Sequence, residues 1–206
     1  LLESKFTSPG FSLLKQAASK IGDPLIRNMG TVGGNVCLGD PSNDLPPALL
    51  VLDAEINTVS QAGERNLKIS EFYRGPFSTA LTKNEIVRFI SFVEPGEGYR
   101  FFYYKYYIRH LDHSVFNMAA LGSIRDGKVD DLRMAVGGLS VGIPSLLETS
   151  WIKGKAAGNE DMERIIKLAL EKCRCVSDRQ GSAELKRRII ERVTRMAFKH
   201  IIGDGI

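Results

Sequence analysis

The sequence predicts an α+β fold, and three observations carry that expectation. A short amphipathic stretch leads into a glycine- and proline-dense segment near the N-terminus; extended apolar runs separated by turn signals fill the middle; two helical periodicities close the chain. The 206 residues, 43% hydrophobic and 25% charged, suit one large domain or two small ones with a real buried core.

Taken in order, residues 11 to 21, FSLLKQAASKI, place Leu13, Leu14, Ala17, Ala18 and Ile21 at helical spacing, with Ser8-Pro9 as entry and Gly22 and Pro24 as stop. This helix delivers the chain into RNMGTVGGNVCLGDPSND, residues 27 to 44. After Pro46-Pro47, ALLVLDAEINTVS predicts a short helix or turn and then a strand, with AGERN as the next turn. KISEFYRG and NEIVRFISFV read as extended segments. EPGEG, residues 94 to 98, is the predicted boundary between a first domain over residues 1–95 and a second over residues 99–206. Within the second, YRFFYYKYY, VFNMAALGSIR and VDDLRMAVGGLS, the last two joined by the hairpin signal Asp126-Gly127, predict a small antiparallel sheet. One closing helix is expected from about Glu160 to Cys173, with Met162, Ile165, Ile166 and Ala169 on one face. The other is expected from about Ala183 to Ile201, with Leu185, Ile189, Val193, Met196 and Ala197 facing inward.

Composition excludes several function classes. No apolar run approaches the roughly 20 residues of a membrane span, and the N-terminus lacks signal-peptide zones, so the cytoplasm is the expected location. Cys37, Cys173 and Cys175 form no disulfide framework, and the C-x-C pair cannot supply the four thiolates of an iron–sulfur cluster, which places any cluster on a partner chain. The net charge of +4 is matched by residues 184 to 200 alone, where Lys186, Arg187, Arg188, Arg192, Arg195 and Lys199 stand against Glu184 and Glu191. Such a local run reads as a solvated helix face, with an acidic partner as the alternative and a nucleic-acid reader as a third, less economical one. The aromatic run Phe101, Phe102, Tyr103, Tyr104, Tyr106 and Tyr107 is explained by strand alternation, one face packed inward and the other amphipathic, rather than by base stacking. His110 and His113 frame Asp112 without an evident third ligand, which favours a structural or surface role over a metal site.

The glycine-dense segment is the candidate site. Glycines tolerate positive φ and close backbone approach, so T-V-G-G-N can turn several N–H groups toward one anion, with Thr31 and Asn35 adding side-chain donors and Gly33 and Gly34 leaving room for a phosphate. A tight loop ahead of a proline-ended helix explains the same residues. The segment is neither a P-loop nor a G-x-G-x-x-G fingerprint.

IRNMGTVGGNVCLGDPSNDLPPALLVLDAEI resembles the second flavin-binding motif of the FAD subunit of molybdenum hydroxylases, of the xanthine dehydrogenase and carbon monoxide dehydrogenase medium-chain type, with Val32 where Ile is usual. The resemblance continues in register through KYYIRHLDHSVFNMAA, with Lys105, Arg109, Asp112 and Asn117 in matching places, and through RMAVGGLSVGIP. It ends in VSDRQGSAELKRRIIERVTRMAF, where Gln180 takes the usual Arg position and Leu185 the usual Tyr. It implies a second FAD-binding subdomain of the PCMH-type flavoprotein fold, then a C-terminal domain of small antiparallel sheet plus helices. It also implies that Thr31, Gly33, Gly34 and Asn35 contact the FAD pyrophosphate, that Asp44 bonds polar parts of FAD, and that Val87 and Lys105 lie near the isoalloxazine ring. An Asx cap before Pro46 is the alternative for Asp44, and a solvated surface ammonium for Lys105. Asp40 reads as a cap and Cys37 as a small buried hydrophobe.

The complete enzyme implied by the resemblance oxidises its substrate at a molybdopterin centre on a large subunit, passes electrons through [2Fe-2S] clusters on a small subunit, and delivers them through FAD to NAD or another acceptor. The family's earlier loop, of A-G-G-T/H type, holds the other side of the pyrophosphate and has no counterpart in this sequence, which opens at Leu1. An N-terminal FAD-binding lobe on a missing segment or separate chain is therefore expected, and a structural or docking subunit that binds no FAD by itself is the alternative function.

Overall fold

The computed structural model describes residues 1–109 and 112–203. Four helices come first: α1 (Pro9–Ser19), α2 (Pro24–Met29), α3 (Val32–Leu38) and α4 (Leu45–Val51). Proline opens α1, where its missing N–H costs nothing and its fixed φ suits a helix. Leu13, Leu14, Ala17 and Ala18 form its buried stripe, and Ile21, beyond the helix end, packs against the same core. All of α4 is buried.

Strands β1 (Glu55–Ser60), β2 (Gly63–Lys68) and β5 (Ile86–Ser91) form an antiparallel sheet in the order β2-β1-β5, and β3 (Tyr73–Gly75) pairs with β4 (Ser78–Thr79). Two expectations are corrected here. The polar GERN stretch is not a turn but most of β2, an exposed outer strand whose backbone pairing with β1 needs no apolar face. KISEFYRG is not extended throughout: α5 (Ile69–Phe72) makes a single turn that sinks Ile69 and Phe72 into the core before β3 begins.

The C-terminal sheet runs β6-β7-β8-β9, all antiparallel, from β6 (Arg100–Tyr106), β7 (Phe116–Arg125), β8 (Lys128–Gly137) and β9 (Ser145–Leu146). Asp126 and Gly127 take φ of 51° and 71°, the paired positive values that a two-residue hairpin between Arg125 and Lys128 requires. The sheet is covered on both faces, which corrects the expectation of one inward and one amphipathic face. Tyr103, Ala119, Leu121 and Ala135 share a core with Leu13, Leu45, Leu49 and Leu50 of α1 and α4. Met118, Ala120, Met134 and Val136 point the other way, into a core with α6 (Asn159–Glu171) and α7 (Ala183–Ile202). The first of these cores thus runs from residues before the EPGEG segment to residues after it, and each fully buried Leu in it contributes about 1.5–3 kcal/mol.

Met162, Ile165, Ile166 and Ala169 are the buried face of α6, as the spacing predicts. On α7 the buried stripe is Lys186, Ile190, Val193, Thr194, Ala197, Phe198 and Ile201, while Leu185 and Met196 are exposed. The stripe is rotated by about one residue because Lys186 is drawn inward: its Nζ donates to Asp178 Oδ1 at 2.6 Å and to the Val176 carbonyl at 2.9 Å.

Candidate cofactor site

The glycine-dense segment is two short helices meeting at Gly30. Asp23 caps α2 by accepting from Ile26 N at 2.9 Å, and Arg27 donates back to the Ile21 and Gly22 carbonyls at 2.7 and 2.8 Å. None of the α2 side chains is buried, and Leu25, Ile26 and Met29 are exposed. Gly30 is extended, and Thr31 then caps α3, its Oγ1 accepting from Gly34 N at 3.0 Å.

This geometry corrects the expected mechanism of anion binding. Among Gly30, Gly33, Gly34 and Gly39, only Gly39 has positive φ, 64°, where it ends α3 in the left-handed conformation. The N–H groups are gathered by the first turn of a helix instead, whose leading amides have no intrahelical acceptor. Gly34 N is taken by Thr31 Oγ1 and Asn35 N by the Thr31 carbonyl at 3.0 Å. Val32 N and Gly33 N have no acceptor among the described residues. A Cβ placed on Gly33 would meet nothing within 4 Å, so this face of the turn is open. At Gly34 a Cβ would crowd Thr31 Oγ1 at 3.0 Å, so glycine there protects the cap. Asn35 Oδ1 is buried without a hydrogen-bond partner among the described residues. Thr31, Gly34, Asn35 and Leu38 line a hollow of about 820 Å³ with Ile26 and Met29 of α2.

Asp44 and Lys105 are buried side by side. Lys105 Nζ donates to Asp44 Oδ2 at 2.8 Å and to the Lys20 carbonyl at 2.9 Å, while Tyr103 Oη donates to Asp44 Oδ1 at 2.7 Å. Asp44 therefore makes no Asx cap, although it precedes α4, and Lys105 is no solvated ammonium. Burial pushes the Asp44 carboxyl above its ordinary range, against the opposing pull of the Lys105 charge and the hydrogen bonds from Lys105 and Tyr103. Burial, and then the Asp44 charge, hold the Tyr103 phenol well above its usual value. Val87, on β5, a strand that packs against α3, pairs with Thr58 and is half-buried on the first core.

Sequence reasoning missed the polar anchors beside this site. Asn43 Nδ2 donates to the Asn35 carbonyl at 2.6 Å, and Asn117 Nδ2 donates to the Asn43 carbonyl at 3.0 Å. The only signal was the polar density of Asp40, Ser42, Asn43 and Asp44 between two helices. Asp40 is the expected local cap, accepting from Ser42 N and Ser42 Oγ at 2.8 and 2.7 Å. Ser42 Oγ also meets His113 Nδ1 at 2.8 Å, a structural role for that histidine, whereas His110 lies outside the described residues. Cys37 is half-buried, and burial raises its thiol pKa.

Comparison with known proteins assigns the two halves. Residues 2–92 match the FAD binding domain in molybdopterin dehydrogenase, and residues 101–201 match the CO dehydrogenase flavoprotein C-terminal domain. The chain belongs to the FAD-binding medium-subunit family of the molybdenum hydroxylases. Like its relatives, this flavoprotein is an oxidoreductase subunit. It is 29% identical to a glyceraldehyde dehydrogenase medium chain of Sulfolobus acidocaldarius over 98% of this chain and 72% of that one. A xanthine dehydrogenase FAD-binding subunit of Escherichia coli O157:H7 is 28% identical over 98% of this chain and 70% of its own. Among solved structures, the carbon monoxide dehydrogenase of Hydrogenophaga pseudoflava that lacks the Mo-pyranopterin moiety superposes with a TM-score of 0.90 at 26% identity, over 98% of this chain and 70% of that one.

Among the described residues no group of three or more His, Cys, Asp or Glu converges as a metal site. Burial pushes the Cys173 thiol up to about 12, with the neighbouring Cys175 adding to the shift. No helix among the described residues is long and apolar enough to cross a membrane.

Proposed function

We propose that this chain is the FAD-binding electron-transfer subunit of a molybdenum hydroxylase, drawing electrons from [2Fe-2S] clusters of a small partner subunit and passing them through FAD to NAD or another acceptor. Substrate oxidation belongs to a large subunit that carries the molybdenum cofactor. FAD suits the position because it exchanges electrons singly on one side and in pairs on the other, while the protein supplies binding and orientation.

The observation that carries this reading is the first turn of α3. Two N–H groups, at Val32 and Gly33, and Asn35 Oδ1, all without a hydrogen-bond partner among the described residues, together with the open face at Gly33 fit a pyrophosphate and its neighbouring hydroxyls. Thr31 holds the turn in shape by capping it, and Gly34 lets that cap close. The family pattern puts Val87 and Lys105 toward the ring end of FAD. In this chain the Lys105 ammonium is held against Asp44, which fixes its position and keeps the Asp44 carboxylate from seeking other partners. We further propose a domain division at residues 1–95 and 99–206, and an N-terminal FAD-binding lobe outside the present sequence that holds the other side of the pyrophosphate.

The docking-subunit alternative draws on the exposed Leu25, Ile26 and Met29 of α2 and Ile86 and Phe89 of β5, apolar side chains placed where another surface would cover them. Calorimetric titration with FAD and with riboflavin separates the readings. The flavoprotein reading expects heat from FAD and none from riboflavin, which lacks the pyrophosphate. Equal binding of both, or of neither, contradicts it.

A further inference from the structure

α3 is a poor candidate for a rigid binding element. It has seven residues, two of them glycine, and Val36 is its only fully buried one, so length and propensity contribute little and its packing on α4, β4 and β5 rests on few side chains. Its last four carbonyls need partners from outside the helix. One of them, the Asn35 carbonyl, receives the Asn43 side-chain amide at 2.6 Å.

Asn43 is itself held from the C-terminal sheet. Its carbonyl accepts from Asn117 Nδ2 at 3.0 Å, and Asn117 is fully buried on the central strand β7, opposite Lys105 on β6 and Gly137 on β8. A Cβ on Gly137 would come within 2.5 Å of Asn117 Oδ1 and 2.7 Å of Pro47 Cγ, so glycine there makes the space in which Asn117 reaches across. The flanking residues are fastened to the same region: the Pro41 carbonyl accepts from Gly138 N at 2.9 Å, Ser42 Oγ meets His113, and Asp44 is held by Lys105 and Tyr103. Residues 41 to 44 are thus a rail pinned to the sheet at each position. Besides the chain itself, which leaves α3 through Gly39 with its carbonyl accepting from Phe77 N at 2.8 Å, α3 is tied to that rail through the Asn43 side chain.

We infer that Asn43 is a positioning residue, seated by Asn117, that transmits the order of the C-terminal sheet to α3 and so aims the Val32 and Gly33 N–H groups at the cofactor. The inference rests on the FAD reading of α3 given above. It places a determinant of flavin affinity in the C-terminal half of the chain, on a residue that need not touch the flavin.

The test is amide hydrogen exchange on the FAD-free chain, followed by FAD titration, for wild type, Asn43→Ala, Asn117→Ala and, as a control for loss of a side-chain amide elsewhere, Asn66→Ala. Asn66 pairs with Asn57 on the outer sheet at 2.8 Å. Asn43→Ala is expected to speed exchange of the α3 amides about tenfold, with α7 unchanged, and to weaken FAD binding about tenfold. Asn117→Ala is expected to act on α3 in the same direction, and Asn66→Ala to leave both readouts alone. Unchanged α3 exchange in Asn43→Ala overturns the inference, as does acceleration spread equally over α7, or looser α3 with FAD affinity intact. A wild-type chain that binds no FAD defeats the flavin reading instead, and the exchange comparison still decides whether Asn43 orders α3.

Discussion

The N-terminal shoulder and the C-terminal helical layer are built from similar amphipathic stretches and end differently. In the helical layer, α6 and α7 put Ile165, Ile190 and Phe198 wholly inside, against one face of the sheet. In the shoulder, α2 buries nothing and leaves Leu25 and Met29 at 75% and 86% exposure, and Phe77 and Ile86 of the same half are uncovered too. The contrast teaches that this chain completes its own core on one side and presents unfinished apolar surface on the other. The glycine turn of α3 lies on the unfinished side, where a ligand or a further protein surface is needed.

The most forceful way to break the contrast is to damage the self-sufficient side. Phe198→Ala empties a fully buried site and is expected to cost about 4 kcal/mol of unfolding free energy, measured by urea denaturation. Next comes the seam between the two regions. Lys105→Met leaves the Asp44 carboxylate buried opposite an apolar chain and is expected to cost about 3 kcal/mol, most of which returns in the double variant with Asp44→Asn. A double variant as unstable as Lys105→Met would show that the charge pair is not what the seam depends on.

A pH experiment sharpens the comparison within the shoulder. Arg65 donates to both Glu85 oxygens at 2.5 and 2.7 Å, and this guanidinium, with Thr58 and Thr82, holds the Glu85 carboxyl well below its ordinary 4.5. A carboxyl depressed in the folded state stabilises above its unfolded pKa and loses that contribution as pH falls through the range below it. Glu85→Gln is therefore expected to be less stable than wild type at pH 7 and to show a shallower loss of melting temperature below about pH 4.5. Smallest in stability is Met29→Ser, expected within about 0.5 kcal/mol of wild type by the same denaturation, because Met29 is 86% exposed.

Legibility followed the range of the physics involved. The strands around Asp126-Gly127 and the buried face of α6 were readable because a hairpin turn and a 3.6-residue period are local patterns. The strand GERNLK was not, since an exposed outer strand carries no apolar alternation. Helix α3 was read as a loop because Gly33 and Gly34 argue against a helix that Thr31 caps and Asn43 ties down. The identities of Thr31, Asn35, Asp44 and Lys105 were all in view, yet the pairing of Asp44 with Lys105 joins residues far apart in sequence and depends on β6 lying beneath the start of α4. Lys186 shifted the α7 stripe for the same reason: an ion pair with Asp178 outweighed what periodicity alone would bury.

The central claim is that the open first turn of α3 grips the FAD pyrophosphate, and Gly33 tests it most directly. A Cβ at Gly33 meets no described atom beyond its own helix backbone within 4 Å, so Gly33→Val adds bulk to the open face of the turn. Flavin bound to the purified chain, read as visible absorbance after FAD addition and desalting, is expected in wild type and expected to be lost in Gly33→Val at an unchanged melting temperature. Equal flavin retention by the two proteins would contradict the claim.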